Sequence, residues 1–223
     1  MSYWRALVAI VAKDLTIERR SKETLSAMFV FALMVVVIFD LAFDLRVENA
    51  HQIAPGVLWV ALTFAGVLGF NRSFIMERES RCMEGLVMTP VDRSAIYMGK
   101  FLSDILFMFI MEVLILPIFA ILFDVAVMNP SLWLVIALGT AGFTAMGTLF
   151  AAMAATTRAR EIMLPILLFP ITVPVIVAST QATARILDQQ TLSDTYTWLR
   201  LLVAFDIISI ALALLGFEYV LEE

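Results

Sequence analysis

The sequence predicts an all-α polytopic membrane protein, with six transmembrane helices behind an N-terminal amphipathic helix at the membrane surface. Three observations carry this reading. Hydrophobic residues make up 62% of the 223-residue chain and charged residues only 16%, whereas soluble domains are closer to half apolar and a quarter charged. That much apolar surface does not fit inside one soluble core of this size. The uncharged runs reach the length of about 20 residues that a helix needs to cross the hydrocarbon. They also lack the strict alternation that barrel strands require, which leaves helices.

Residues 1–24 read as an interfacial leader. Trp4, Leu7, Val11 and Leu15 recur at helical spacing as an apolar side, with Arg5, Lys13 and Arg20 on the polar side. The polar region is too long, and the first apolar run too long, for a cleavable signal peptide. The six spans are expected at about 25–43, 57–75, 101–123, 132–155, 162–181 and 197–218. Within one transmembrane domain covering 1–223, the longest connection after the leader is the loop 76–100. Span two carries Ala61, Ala65 and Gly69 at four-residue steps. Span four carries Ala137, Ala141 and Ala145, and then Gly147, Ala151 and Ala155. Such stripes let helices approach closely, within a chain or between copies. Span five holds Pro165, Pro170 and Pro174, so a re-entrant hairpin and a bent, movable helix are both open.

Orientation follows the basic residues. Of the fifteen Lys and Arg, twelve fall on one side: Arg5, Lys13, Arg19, Arg20, Lys22, Arg72, Arg78, Arg81, Arg93, Lys100, Arg158 and Arg160. Arg46, Arg185 and Arg200 fall on the other. Both termini and the loop 76–100 are therefore expected in the cytoplasm. Trp59, Trp133 and Trp198 then lie near the outer ends of spans two, four and six, where an interfacial aromatic belt or ordinary packing accounts for them.

The counts exclude much. The single cysteine, Cys82, rules out an intramolecular disulfide framework and a CxxC site. The single histidine, His51, rules out a His-rich metal centre and is expected in the outer loop between spans one and two. A net charge of −5 without a long basic block argues against nucleic acid. No phosphate-binding GxxxxGK[ST] loop is present: Phe101 follows Gly99-Lys100, and Ser94 stands five residues before Gly99. Lys100 is expected to snorkel from the start of span three to the head groups. No catalytic and no metal-ligating set is expected.

The loop 76–100 holds the most information. Glu77 and Arg81 are spaced to pair on a helix. Glu84 and Gly85 close that turn, and Leu86, Val87 and Met88 form an apolar knob. Thr89-Pro90 breaks the helix, and Ser94, after Arg93, can cap the next one. A short charged helix with an apolar tip suits docking on a cytoplasmic protein. Inside the membrane, Glu112 and Asp206 stand near the centres of spans three and six, where a charge costs about 2.5–3.5 kcal/mol on insertion scales. They line a polar path or make interhelical hydrogen bonds; the lack of a basic residue at the same depth favours the bonds.

The block Glu84-Gly85-Leu86-Val87-Met88-Thr89-Pro90-Val91-Asp92-Arg93-Ser94, followed by Tyr97-Met98-Gly99-Lys100, resembles the haem exporter B subunits of the bacterial cytochrome c maturation ABC complex. So do Lys13-Asp14-Leu15 with Glu18-Arg19-Arg20, and the run from Leu164 to Pro174. The wider likeness is to ABC-2-type exporter permeases. The resemblance implies a non-catalytic membrane subunit in the bacterial inner membrane, forming a homodimer within the complex. Its ATP would be bound and hydrolysed by a separate ABC ATPase docked at Glu77, Arg81, Glu84, Gly85, Leu86, Val87, Met88, Pro90 and Arg93. A haem-handling membrane subunit and a small single-span subunit would complete the assembly. Haem would be a transported or neighbouring ligand rather than a bound cofactor. The alternatives are a permease for another exported substrate and a scaffold that transmits ATPase motion without translocation.

Overall fold

The computed structural model describes residues 3–44, 50–79, 93–155, 160–190 and 192–220. Among the described residues seven helices follow one another: α1 (Tyr3–Ser21), α2 (Glu23–Asp44), α3 (Ala50–Glu79), α4 (Arg93–Leu122), α5 (Pro130–Ala155), α6 (Arg160–Leu187) and α7 (Leu192–Val220). Six of them, α2 to α7, are long and apolar enough to cross a membrane. No strand occurs among the described residues.

Several helices run beyond the expected spans, because a helix does not stop where the hydrocarbon does. α4 begins at Arg93, beside the start expected at Ser94, and runs on without a break into span three. α3 begins at Ala50, which puts His51 in a helix rather than a loop. α6 is one continuous helix through all three of its prolines, so it is bent at most and does not re-enter. Pro170 and Pro174 are exposed, while the buried Thr172 hydroxyl donates to the Leu168 carbonyl at 2.9 Å, a back-bond that bends helices.

Three of the described helix ends are short and well bonded. α1 and α2 are separated only by Lys22, which adopts a left-handed φ of 56°. The Glu18 side chain accepts from the backbone N–H of Leu25 at 2.8 Å and of Thr24 at 3.4 Å, satisfying donors that an α2 N-terminus leaves unpaired. α6 ends in the same way, with Gln189 at φ 57° and the Gln190 N–H bonded to the Arg185 carbonyl at 2.9 Å. α5 starts with Asn129 as its cap, accepting from the Ser131 N–H at 3.0 Å, ahead of Pro130 at the first helical position.

α5 and α3 occupy the centre: 78% and 72% of their spanning windows are buried, against 17% for α2 and 22% for α7. α5 packs against α3, α4, α6 and α7, and α2 packs mainly on α3. α1 lies on α4. Its buried face is Ala6, Leu7, Ile10, Asp14 and Glu18, whereas Trp4, Val8 and Leu15 are exposed. The expected single apolar side of α1 is thus two faces. Leu7 belongs to the one that grips α4, and Trp4 and Leu15 to the one left outward. At the crossing, a Cβ on Gly99 would come within 2.9 Å of the Ile10 side chain, so only glycine allows this approach.

Trp59 is 3% exposed and donates from Nε1 to the Thr183 hydroxyl at 3.0 Å. It joins α3 to α6 and is not part of a surface belt. Trp133 and Trp198 are half-buried, and the Arg185 guanidinium lies 5.5 Å from the Trp198 ring. Of the alanine stripe on α5, Ala145 is buried but Ala137 is exposed.

Candidate functional site

Lys100, Asp104, Met108 and Glu112 follow one another at four-residue steps on α4, so they share one face. All four are 1–2% exposed. Facing them, α5 carries Thr140, Thr144 and Thr148, also at four-residue steps and buried. The two stripes meet as an antiparallel ladder. The Thr148 hydroxyl donates to Asp104 Oδ2 at 2.8 Å, and the Thr140 hydroxyl donates to Glu112. Met108 and Thr144 are the matching residues between these rungs. Tyr97, one turn nearer the α4 N-terminus, donates to the Ala145 carbonyl at 3.0 Å. Glu112 Oε2 and Thr144 Oγ1 are buried with no hydrogen-bond partner among the described residues. Glu112 therefore has the interhelical hydrogen bond that its position favoured.

At one end the ladder continues into an ion pair. Lys100 Nζ lies 3.0 Å from Asp14 Oδ2 on α1 and donates to the Ser73 hydroxyl on α3 at 3.3 Å. Lys13 adds a second cation 3.1 Å from Asp14 Oδ1. Lys100 does not snorkel to the head groups. Its ammonium is turned inward because a carboxylate and a hydroxyl meet it there, and three helices are joined at one atom.

Asp206, 7% exposed, lies on α7 against Gly142 of α5, where a Cβ would collide with Asp206 Oδ1. That oxygen has no hydrogen-bond partner among the described residues. Asp206 and Glu112 approach α5 at Gly142 and Thr140, positions two residues apart and so on different sides of the helix. They do not form one site.

Of the docking segment, Arg81, Glu84, Gly85, Leu86, Val87, Met88 and Pro90 lie outside the described residues. Glu77 is in the last turns of α3, and Arg93, half-buried, opens α4. Among the described residues no three His, Cys, Asp or Glu side chains gather as metal ligands.

Residues 5–222 match the family model described as CcmB protein. The chain belongs to the CcmB protein family. Several curated relatives named heme exporter protein B match it over most of their length. The one from Pseudomonas aeruginosa is 27% identical over 196 residues, covering 87% of this chain and 88% of its own. The Rhodobacter capsulatus protein is 27% identical, covering 79% and 82%. The Paracoccus denitrificans protein is 26% identical, covering 92% and 93%.

Within this CcmB chain, the sequence pattern did not reveal Asp104, the pairing of Asp14 or the inward role of Lys100. Charges just before an apolar run look like membrane flanks, and Asp104 is such a charge by position. The overlooked signal was the stride of four from Lys100 to Glu112, matched by the threonine stride on α5.

Proposed function

We propose that this chain is the membrane subunit of an ABC complex for haem export or delivery in c-type cytochrome biogenesis. The observation that carries the reading is a family match running from residue 5 to residue 222, supported by relatives named heme exporter protein B. It is a multi-pass membrane protein without a nucleotide-binding loop of its own, so ATP hydrolysis belongs to a separate ATPase. The basic-residue asymmetry supports a cytoplasmic side for both termini and the loop 76–100, and the family match supports a bacterial inner membrane.

The ATPase docks on Glu77 through Arg93, with Leu86, Val87 and Met88 as the apolar anchor. α3 and α4 lead into and out of this segment. Movement imposed there reaches Ser73 and Lys100, and through them α1, along the buried ion pair. The Asp104 and Glu112 rungs then carry it to α5. A homodimer, with a haem-handling subunit and a small single-span subunit alongside, completes the assembly.

Leu86→Asp tests the docking. Apolar side chains gain about 25 cal/mol per Å² when a partner covers them, so this change should release the ATPase while the chain stays in the membrane. Unchanged copurification with the ATPase rejects the docking. Cysteine labelling at residue 90 in a Cys82→Ser background tests the orientation, and labelling from the outer side rejects it.

A further inference from the structure

A cleft of about 700 Å³ opens between α1, α2 and α4, within the size range of small-ligand sites. Its composition changes with depth. Arg19 and Lys22 stand at the rim, beside the turn from α1 to α2. Leu25 and Phe29 of α2, with Phe107 and Leu114 of α4, form the walls further in. Along α4, Phe107 lies about 10 Å and Leu114 about 20 Å beyond Lys100, at 1.5 Å per residue. One leaflet of a hydrocarbon core about 30 Å thick is about 15 Å deep, so the cleft runs the depth of a leaflet and Leu114 stands just past the midplane.

The rim is positive. Glu18 also lines it, but its carboxylate is engaged by the Leu25 and Thr24 N–H groups. Glu23 is paired with Arg72. Neither Arg19 nor Lys22 has an ion-pair partner among the described residues. The outward face of α1, with Trp4 71% and Val8 61% exposed, suits a helix seated in the head-group layer.

We propose that the cleft between α1, α2 and α4 is a binding site for one anionic phospholipid. Its phosphate is held by Arg19 and Lys22, and an acyl chain lies against Leu25, Phe29, Phe107 and Leu114. A helix from another protein chain would match the apolar walls but does not call for two cations at the rim. A phosphate headgroup calls for both. The site uses the surface placement of α1 and is independent of ATPase docking.

Native mass spectrometry of the detergent-purified full chain tests this, with phosphatidylglycerol and phosphatidylcholine of identical acyl chains as probes. One phosphatidylglycerol should be retained per chain, and phosphatidylcholine should be retained at least tenfold less. Arg19→Gln with Lys22→Gln should weaken phosphatidylglycerol retention about tenfold or more. Ala12→Phe, which fills the cleft without changing charge, should weaken it as well. All three positions are exposed, so folding is not at stake. Equal retention of the two lipids overturns the proposal. So does wild-type retention by either variant, or capture of a protein chain by a crosslinker placed at Ser26→Cys in a Cys82→Ser background. Leu86→Asp should leave lipid retention unchanged, which separates this site from the docking loop.

Discussion

The α4–α5 seam and the α2–α3 seam solve the same problem in opposite ways. Lipid tails are as apolar as leucine, so hydrophobicity does not drive helices together inside the membrane. Along α2 and α3 the answer is shape. Met28, Ala32 and Val36 form one buried stripe, Ala61, Ala65 and Gly69 another, and Met28 settles over Gly69. Along α4 and α5 the answer is polarity, with carboxylates bonded to hydroxyls at Asp104–Thr148 and Glu112–Thr140. A shape-based seam tolerates small changes, because flexible neighbours move. A polar seam specifies register, because a slipped rung leaves a buried carboxylate without its donor.

If that contrast is right, the largest loss comes from the ion pair that ends the polar seam. Lys100→Met leaves Asp14 buried with only Lys13 nearby, and destabilisation of about 3 kcal/mol is expected, at the low end for a broken buried pair. Equilibrium unfolding in SDS measures it. Adding Asp14→Leu should recover most of the loss, and failure to recover would mean that Lys100 acts chiefly elsewhere.

Next comes Glu112→Leu, which strands the Thr140 hydroxyl at a cost of roughly 1–3 kcal/mol. Glu112→Gln should stay near wild type in unfolding and in cytochrome c maturation, because an amide still donates and accepts. An assembled but inactive Glu112→Gln complex would show that the carboxylate itself is used.

Two glycines sharpen the comparison at the lower end. Gly99→Ala drives a Cβ against Ile10, whose branched side chain is stiff, and should cost about 1–2 kcal/mol. Gly69→Ala meets Met28 Sδ at 2.6 Å, the far part of a flexible side chain. Helix propensity repays about 0.5–1 kcal/mol there, so the change should be nearly neutral. If Gly69→Ala proved the more damaging, the shape-based seam would not be the tolerant one.

The spans were legible because hydrocarbon thickness demands long uncharged runs, a constraint that acts on sequence directly. That Glu112 and Asp206 turn toward other helices was legible for the same reason: a carboxylate within such a run must be sheltered from lipid. Side-chain direction was not. Lys100 at a span boundary can point out to head groups or inward to a partner. The partner, Asp14, lies 86 residues away in sequence, beyond any local pattern. Trp59 was open to two readings until its donor was seen to meet Thr183. The start of α4 was legible as well, since Ser94 behind the Thr89-Pro90 break marks a helix entering span three and Arg93 to Gly99 is helical, whereas the start of α3 as early as Ala50 was not.

The Asp14–Lys100 pair also orders events during synthesis. Asp14 leaves the ribosome early, but its cation follows 86 residues later, a delay of roughly 4–17 s at ordinary elongation rates. Until then the N-terminal helix is held only at the start of α2, through Glu18, because α4 does not yet exist. Its seating on α4 therefore has to wait until the first two spans are made, and a chain stalled before Lys100 keeps the buried face of this helix uncovered.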